Sequence, residues 1–425
     1  MMYPFATGDL RDSVVCLQNY MENTSGKIPW EDLRYIFGQI MNGGHIVNDF
    51  DRILCVAYLD HYLKDELLDE MELFPFNKDE KGATFKSPNP TTFDRYLEHI
   101  DQEYKGDTPI AFGLHPNAEI GFRTEQSEAL LRLLLELQPR DAGSGGSDDK
   151  SPRAIAGAAM QDFMDAVGDV KWDVIDIQAS MEEVGPFQNV LILELQYINR
   201  LAAFIRTSLS TLRMGFDGKL TMSESMEKLE TELSLDRVPA AWAKIAWPSL
   251  RALGGWKVNL TSRIAQLNEW VSAPMDVPKC TWLGGLVNPQ SFLTAVRQQT
   301  AQRNQQELDR LTIATDVTKR MAEEIDSASK DGAYITGLFM QGARFDIQAG
   351  IVDKCRPREM FCEMPVINIR SIPVDKLDLK GCYECPVYKT SQRGPTYVFN
   401  AQLKTKSPKE RWIMAGTCLM FDSSS

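Results

Sequence analysis

A chain of 425 residues is longer than one hydrophobic core normally serves, so two or three packed subdomains are expected. Its 43% hydrophobic and 25% charged residues match an ordinary soluble globular protein, and no apolar run approaches the roughly 20 residues of a membrane span. The net charge of −13 comes with no run of clustered Lys and Arg, which argues against a nucleic-acid surface.

The opening residues Met1-Met-Tyr-Pro-Phe have neither the basic nor the apolar stretch of a secretory signal, so the eight cysteines are read as reduced thiols in the cytoplasm. Within residues 3–23, Leu10, Val14, Leu17 and Met21 fall on one helical face. Pro29 sets the first turn of a second helix, Trp30 to Met41, and Asn42-Gly43-Gly44 stops it, because glycine supplies the left-handed cap. Asp49 can cap a third helix running to about Asp65. Three short helices with tight turns make residues 1–70 a small helical lid.

Residues 71–142 read as a connector and a helix. Pro75, Pro88, Pro90, Pro109 and Pro116 interrupt any long element, leaving a short helix from Thr92 to Ile100 and a longer one from Thr124 to Leu137. Gly143-Ser-Gly-Gly-Ser147 has the composition of a flexible linker. Its abrupt setting between Pro139-Arg-Asp and Asp148-Asp-Lys reads as an engineered replacement for a floppy loop, with a natural Gly/Ser loop as the alternative, and it is expected to be mobile.

Residues 148–306 are again helical. Ser151-Pro152 opens a helix to about Val167. The longest pattern starts at Pro186 and stops at Gly215, with Val190, Leu191, Leu195, Ile198, Leu201, Ala202, Ile205, Leu209 and Leu212 recurring at three and four. Ile192, Leu193, Tyr197 and Phe204 widen that stripe, so neighbours on more than one side are expected. Met222 to Leu233 forms a shorter helix, and Trp256, Leu260, Ile264, Leu267 and Trp270 define another. Asn288-Pro289 is a cap and first-turn pair for a further helix carrying Phe292, Leu293, Val296 and Thr300.

From Glu307 the period becomes two. Leu311–Thr318, Tyr334–Met340, Met364–Arg370, Cys382–Tyr388, Thr396–Leu403 and Trp412–Phe421 are six strand candidates. Short connections favour antiparallel pairing, and closure into a barrel over residues 307–425 would remove exposed edges. The fold class is therefore α+β, helices first and a β-barrel of about six strands last.

Groups that could carry chemistry fail on pattern. Gly26-Lys27-Ile28 and Gly218-Lys219-Leu220 lack the Ser or Thr that a phosphate-binding loop needs after its lysine. Ile53-Leu-Cys-Val-Ala-Tyr-Leu-Asp60 mimics a strand ending in a metal-binding Asp but continues at helical spacing. Cys382-Tyr-Glu-Cys385 lacks a second pair or a nearby His, and strand alternation turns its thiols to opposite faces. His45, His61, His99 and His115 stand in no nucleophile motif, His115 reading as a turn-ordering residue; Glu182-Glu183 and Glu323-Glu324 read as solvated helix faces. No catalytic, cofactor-binding or metal-binding residue is assigned.

The wording of the chain says more than its periodicity. Trp282-Leu-Gly-Gly-Leu-Val-Asn-Pro-Gln-Ser-Phe-Leu-Thr-Ala-Val-Arg-Gln298 resembles the C-terminal region of dynein heavy chains, in the form found in axonemal members of outer-arm type. Ile28-Pro-Trp-Glu-Asp-Leu-Arg-Tyr35, Gly43-Gly-His-Ile-Val-Asn-Asp-Phe-Asp-Arg52, Phe112-Gly-Leu-His-Pro-Asn-Ala-Glu-Ile120, Asp331-Gly-Ala-Tyr-Ile-Thr-Gly-Leu-Phe-Met-Gln-Gly-Ala-Arg-Phe345 and Tyr383-Glu-Cys-Pro-Val-Tyr-Lys-Thr390 agree in the family's order. The resemblance implies that residues 1–70 are the lid of the sixth AAA+ module and that a C-terminal domain ending in a β-barrel follows. It implies a non-catalytic piece of an ATP-driven, minus-end-directed microtubule motor in the cytoplasm of a cilium or flagellum. Such a piece would brace the AAA+ ring and regulate it, binding neither nucleic acid nor membrane. Its partners would be the other AAA+ modules of the same chain, with microtubules, ATP and Mg bound elsewhere. The competing classes are a peptide- or protein-binding adaptor and an enzyme with an unrecognised site.

Overall fold

The computed structural model describes residues 3, 5–69, 71–76, 86–103, 116–137, 151–168 and 170–422. The Gly/Ser segment 143–147 and His115 lie outside them.

The helices follow their caps. Those of the first part are α1 (Thr7–Glu22), α2 (Trp30–Tyr35), α3 (Asp49–Tyr62), α4 (Phe93–Glu103) and α5 (Pro116–Leu137). The second predicted helix does reach Met41, but its last stretch, Ile36–Met41, widens into a π turn. The cap of α3 is Asn48 rather than Asp49: its side chain accepts the Phe50 N–H at 2.9 Å, leaving Asp49 as the first helical residue. Helix α5 begins eight residues before the expected Thr124, because Pro116 stands at its first position, where proline starts a helix instead of breaking one.

The second part holds α6 (Pro152–Val167), α7 (Val174–Ala179), α8 (Pro186–Phe216), α9 (Glu224–Ser234), α10 (Ala240–Ala243), α11 (Leu253–Ser272) and α12 (Pro289–Asn304). Ser151 Oγ accepts from Ala154 N–H and Asn288 Oδ1 from Ser291 N–H, as their cap positions require. Helix α8 is the central post. Leu191, Leu195, Ile198, Ile205, Leu209 and Leu212 are all 0% exposed, and α6, α9, α11 and α12 surround it. Each such residue contributes about 1.5–3 kcal/mol of apolar burial. Phe163, Trp242, Trp247 and Trp256 stack into one aromatic cluster beside the post.

Strands β1 (Thr281–Trp282), β2 (Leu311–Val317), β3 (Ala333–Thr336), β4 (Phe339–Gln341), β5 (Arg344–Asp346), β6 (Ile351–Asp353), β7 (Phe361–Glu363), β8 (Ile367–Pro373), β9 (Cys382–Tyr388), β10 (Tyr397–Lys404) and β11 (Cys418–Met420) follow, with the short helix α13 (Lys409–Met414) before the last. They form a four-stranded sheet in the order β1-β3-β8-β2, a five-stranded sheet in the order β10-β9-β11-β4-β7, and the hairpin β5-β6.

One expectation is corrected and a second is met only in part. Pairing is not wholly antiparallel: β1 runs parallel to β3, and β11 parallel to β9. In both cases intervening elements return the polypeptide to the starting end, and one of them is α13, where Lys409–Met414 takes the first three residues of the predicted strand Trp412–Phe421. The barrel expected over residues 307–425 is not closed by any ladder among the described residues. The sheets instead share a bent hairpin. Strand β3 passes through Gly337-Leu338 into β4, and β7 passes through Met364-Pro365-Val366 into β8, so each arm contributes to both sheets. Opposite this bend, β2 meets β10 through side chains. Thr315 N–H donates to Gln402 Oε1 at 2.8 Å, and Gln402 N–H donates to Thr315 Oγ1 at 2.6 Å.

One continuous apolar cluster runs from Ala57 through the post and both sheets to Phe421. The lid joins the sheets by Tyr58 Oη donating to Met414 O at 3.0 Å and Asn48 Nδ2 donating to Gly394 O at 3.3 Å. Asn117, at the start of α5, grips the 355–359 loop: Nδ2 donates to Glu359 O at 2.9 Å and Oδ1 accepts Arg358 N–H at 3.0 Å.

Candidate functional site at the junction of helices and sheets

The segment 281–300 crosses from the helices into the sheets. On the edge of β1 away from β3, Trp282 is paired by a side chain: its N–H donates to Gln266 Oε1 at 2.8 Å and its carbonyl accepts from Gln266 Nε2 at 3.2 Å. Its indole lies against two glycines. A methyl group at Gly285 would collide with Trp282 Cε3, and one at Gly337 with Trp282 Cδ1, the latter at a backbone φ of +77°. That close approach explains the Gly-Gly of Trp282-Leu-Gly-Gly and the bend between β3 and β4.

Beneath this turn lies a set of charged groups that are costly to bury alone. Glu194, on the inner face of α8, is 4% exposed. Its carboxylate accepts Val287 N–H at 2.7 Å and Asn288 N–H at 2.8 Å, holding the entry to α12 where the helix dipole favours an anion. Burial pushes the carboxyl above its ordinary range, while those two N–H groups, Arg263 and Lys389 pull it back.

Arg263, on α11, is also 4% exposed. Its Nε donates to Asn259 Oδ1 at 2.8 Å, its guanidinium lies 3.9 Å over the Trp247 ring, and Nη1 is buried with no hydrogen-bond partner. Burial pushes its pKa down, and the Glu194 and Asp422 carboxylates raise it. Stacking on an indole suits the weakly hydrated guanidinium, which stays charged. Half-buried Lys389 is pushed down by burial and drawn up by Glu194. Asp422 is held by Arg251, whose Nε and Nη2 donate at 2.8 and 2.6 Å.

Arg263, Lys389 and Asp422 line a cavity of about 20 Å³ with Trp247, Trp282 and Val287, far smaller than a nucleotide. The arrangement positions backbone and pairs its carboxylates; it brings no nucleophile beside a base.

Sequence reasoning missed Glu194 and Arg263. Each carried a signal: Glu194 interrupts the apolar run Leu191-Ile-Leu-Glu-Leu, and Arg263 lies seven residues from Trp256 on the buried face of α11.

The motif-like groups disperse. Ile53–Asp60 is part of α3, and Asp60 pairs with Arg34 Nε at 3.0 Å. Gly26 and Gly218 occupy turns with φ of +115° and +72°. Cys382 is half-buried beside Lys404 in the β9–β10 ladder, whereas Cys385 is fully buried. Burial raises both thiols, Cys385 well above its ordinary range. Among the described residues no three His, Cys, Asp or Glu side chains gather as metal ligands would. His45 faces Asp9 at 3.7 Å, His61 packs against Tyr62 and Phe74, and His99 Nε2 is buried without a partner on α4. Glu182, Glu183, Glu323 and Glu324 are exposed.

Fold and junction together define a scaffold: a helical post and a bent pair of sheets on one core, with a small helical lid attached. Comparison with known proteins gives the family. Residues 1–118 match the AAA lid domain of the dynein heavy chain, and residues 124–421 match its C-terminal domain. The protein is 45% identical over 99% of its length to the flagellar outer-arm dynein beta chain of Chlamydomonas reinhardtii. It is 44% identical over 98% to the ciliary dynein beta chain of Tripneustes gratilla, and 42% identical over 98% to dynein axonemal heavy chain 9 of Homo sapiens. The chain belongs to the dynein heavy chain family and represents its C-terminal region; it spans about 9% of the length of each of these relatives.

Proposed function

We propose that this protein is the non-catalytic C-terminal end of an axonemal dynein heavy chain, the lid of the sixth AAA+ module followed by a domain that braces the ring. In this reading it regulates an ATP-driven, minus-end-directed microtubule motor in the axoneme of a cilium or flagellum. ATP and Mg bind elsewhere in the heavy chain, and microtubules are touched only by other parts of it. The observation that carries the reading is the succession of lid and C-terminal domain matches along nearly the whole length.

The helix surfaces support it. On α1, Leu10 and Val14 are exposed one turn apart, and an open hollow is lined by Val15, Cys16, Asn19 and Tyr20 of that helix alone. On α5, Leu130, Leu131, Leu133 and Leu134 are all exposed. Apolar faces left open in this way fit against neighbouring modules of a ring. In this reading the strand half, its two sheets joined at the bend and meeting again at the Thr315–Gln402 seam, works by stiffening what it touches.

The separable unit is larger than 307–425. Strand β1 and helix α12 precede Glu307 yet pack into the four-stranded sheet, which supports taking 151–421 as the piece to delete, leaving α5 whole. Deleting that piece from the full-length heavy chain should leave basal ATP turnover within a few-fold while force or run length changes more. Loss of turnover in a deletion that still assembles an intact ring would overturn the reading.

A further inference from the structure

We infer that the junction cavity is a binding site for one small monovalent anion of halide size, held between Arg263 and Lys389. Four observations meet there. The cavity of about 20 Å³ has room for a single water-sized or halide-sized occupant and for nothing organic. Arg263 is 4% exposed and uses one of its five donors: Nε reaches Asn259, while Nη1 has no hydrogen-bond partner although it is fully enclosed. A second cation, Lys389, lines the same cavity. The carboxylates nearby are already committed, Glu194 to the Val287 and Asn288 N–H groups and Asp422 to Arg251.

The charge count favours an anion over a plain water. Arg263, Lys389 and Asp422 line the cavity, and Glu194 and Arg251 act on Arg263 from outside its lining; three cations against two carboxylates leave one positive charge over, next to an Arg263 guanidinium that is enclosed and short of partners. A halide answers that charge and accepts from enclosed guanidinium and ammonium donors at once. Two indoles, Trp247 and Trp282, form part of the cavity wall and lie beside the Arg263 guanidinium. An occupant there would tie α11 to the turn after β9, adding an ionic contact between the helices and the five-stranded sheet.

The test uses the whole 425-residue protein. Thermal midpoints are measured while sodium gluconate is replaced by sodium bromide at fixed ionic strength, and crystals grown in bromide are searched for anomalous density. A saturating rise of about 1–2 °C at roughly ten times the dissociation constant is expected, with a bromide peak within contact distance of Arg263 and Lys389. Lys389→Met should abolish both the rise and the peak. Arg263→Gln should do the same, and if it does not fold, Lys389→Met decides alone. A rise of equal size in Lys389→Met, a flat response in the parent protein, or a peak without any shift in midpoint (an adventitious ion only) would each overturn the inference.

Discussion

The post and sheets from Pro186 to Phe421 contrast with the first 137 residues. In the former, most apolar side chains of α8 are buried against its own neighbours, with Leu193, Phe204 and Met214 left exposed. In the latter, α1 has only Ser13 buried and α5 carries four exposed leucines in its second half. The two regions obey the same helix physics, yet among the described residues the former buries most of its apolar helix faces and the latter leaves those of α1 and α5 largely open. A helix that leaves its apolar face open is stable in place only through contacts supplied by something else. The contrast teaches that the protein has a self-sufficient body and an arm shaped for company.

Substitutions can break that contrast, and the largest effect is expected in the body. Trp256→Ala removes a ring stacked at 5.0 Å on Trp247 and fully enclosed by Phe163 and Trp242. A loss of about 3–5 kcal/mol in chemical denaturation is expected. A loss below about 1 kcal/mol would mean the aromatic cluster is not the core of the body. Next comes Glu194→Ala, which strands the Val287 and Asn288 N–H groups and removes a counter-charge from Arg263. It should cost about 3 kcal/mol, and Glu194→Gln, which still offers an acceptor, should cost less.

Gly337→Ala places a methyl against Trp282 at a left-handed φ and should cost about 1–3 kcal/mol, read as a lower thermal midpoint. The smallest effect belongs to the arm. Leu131→Ala should change the stability of this protein by less than about 0.5 kcal/mol. The same change made in a full-length heavy chain should cost clearly more if α5 has a neighbour there. Equal effects in the two settings would erase the distinction between body and arm.

Legibility in the sequence followed the same division of physics. Local rules found what is local. Ser151-Pro152, Pro186 and Asn288-Pro289 marked helix starts, and Leu311–Val317, Cys382–Tyr388 and Tyr397–Lys404 emerged at nearly their expected bounds. Pro116 was misread because a proline that begins a helix and one that breaks it look alike without its neighbours. Sheet closure and parallel pairing were hidden because they depend on partners distant in sequence: Thr315 meets Gln402, and Leu419 pairs with Val387 across an excursion through β10 and α13. The hairpin β5-β6 and strand β1 are three and two residues long, too short for a period of two to show. The junction was half visible. Its glycines and capped helix stood out, but Glu194 and Arg263 look like flaws in apolar stripes until the N–H groups and indoles that receive them are seen.

The bent hairpin has a consequence for how strain would travel. Because β3 runs on into β4 and β7 into β8, the sheets are joined there by covalent backbone rather than by hydrogen bonds alone. At the opposite side they meet through Thr315 and Gln402, whose few bonds can part without unravelling a ladder. A tug on one sheet would therefore be borne by peptide bonds at the bend and relieved at the seam, as a clasp opens about its hinge. Such a fold yields in one direction and resists in the other.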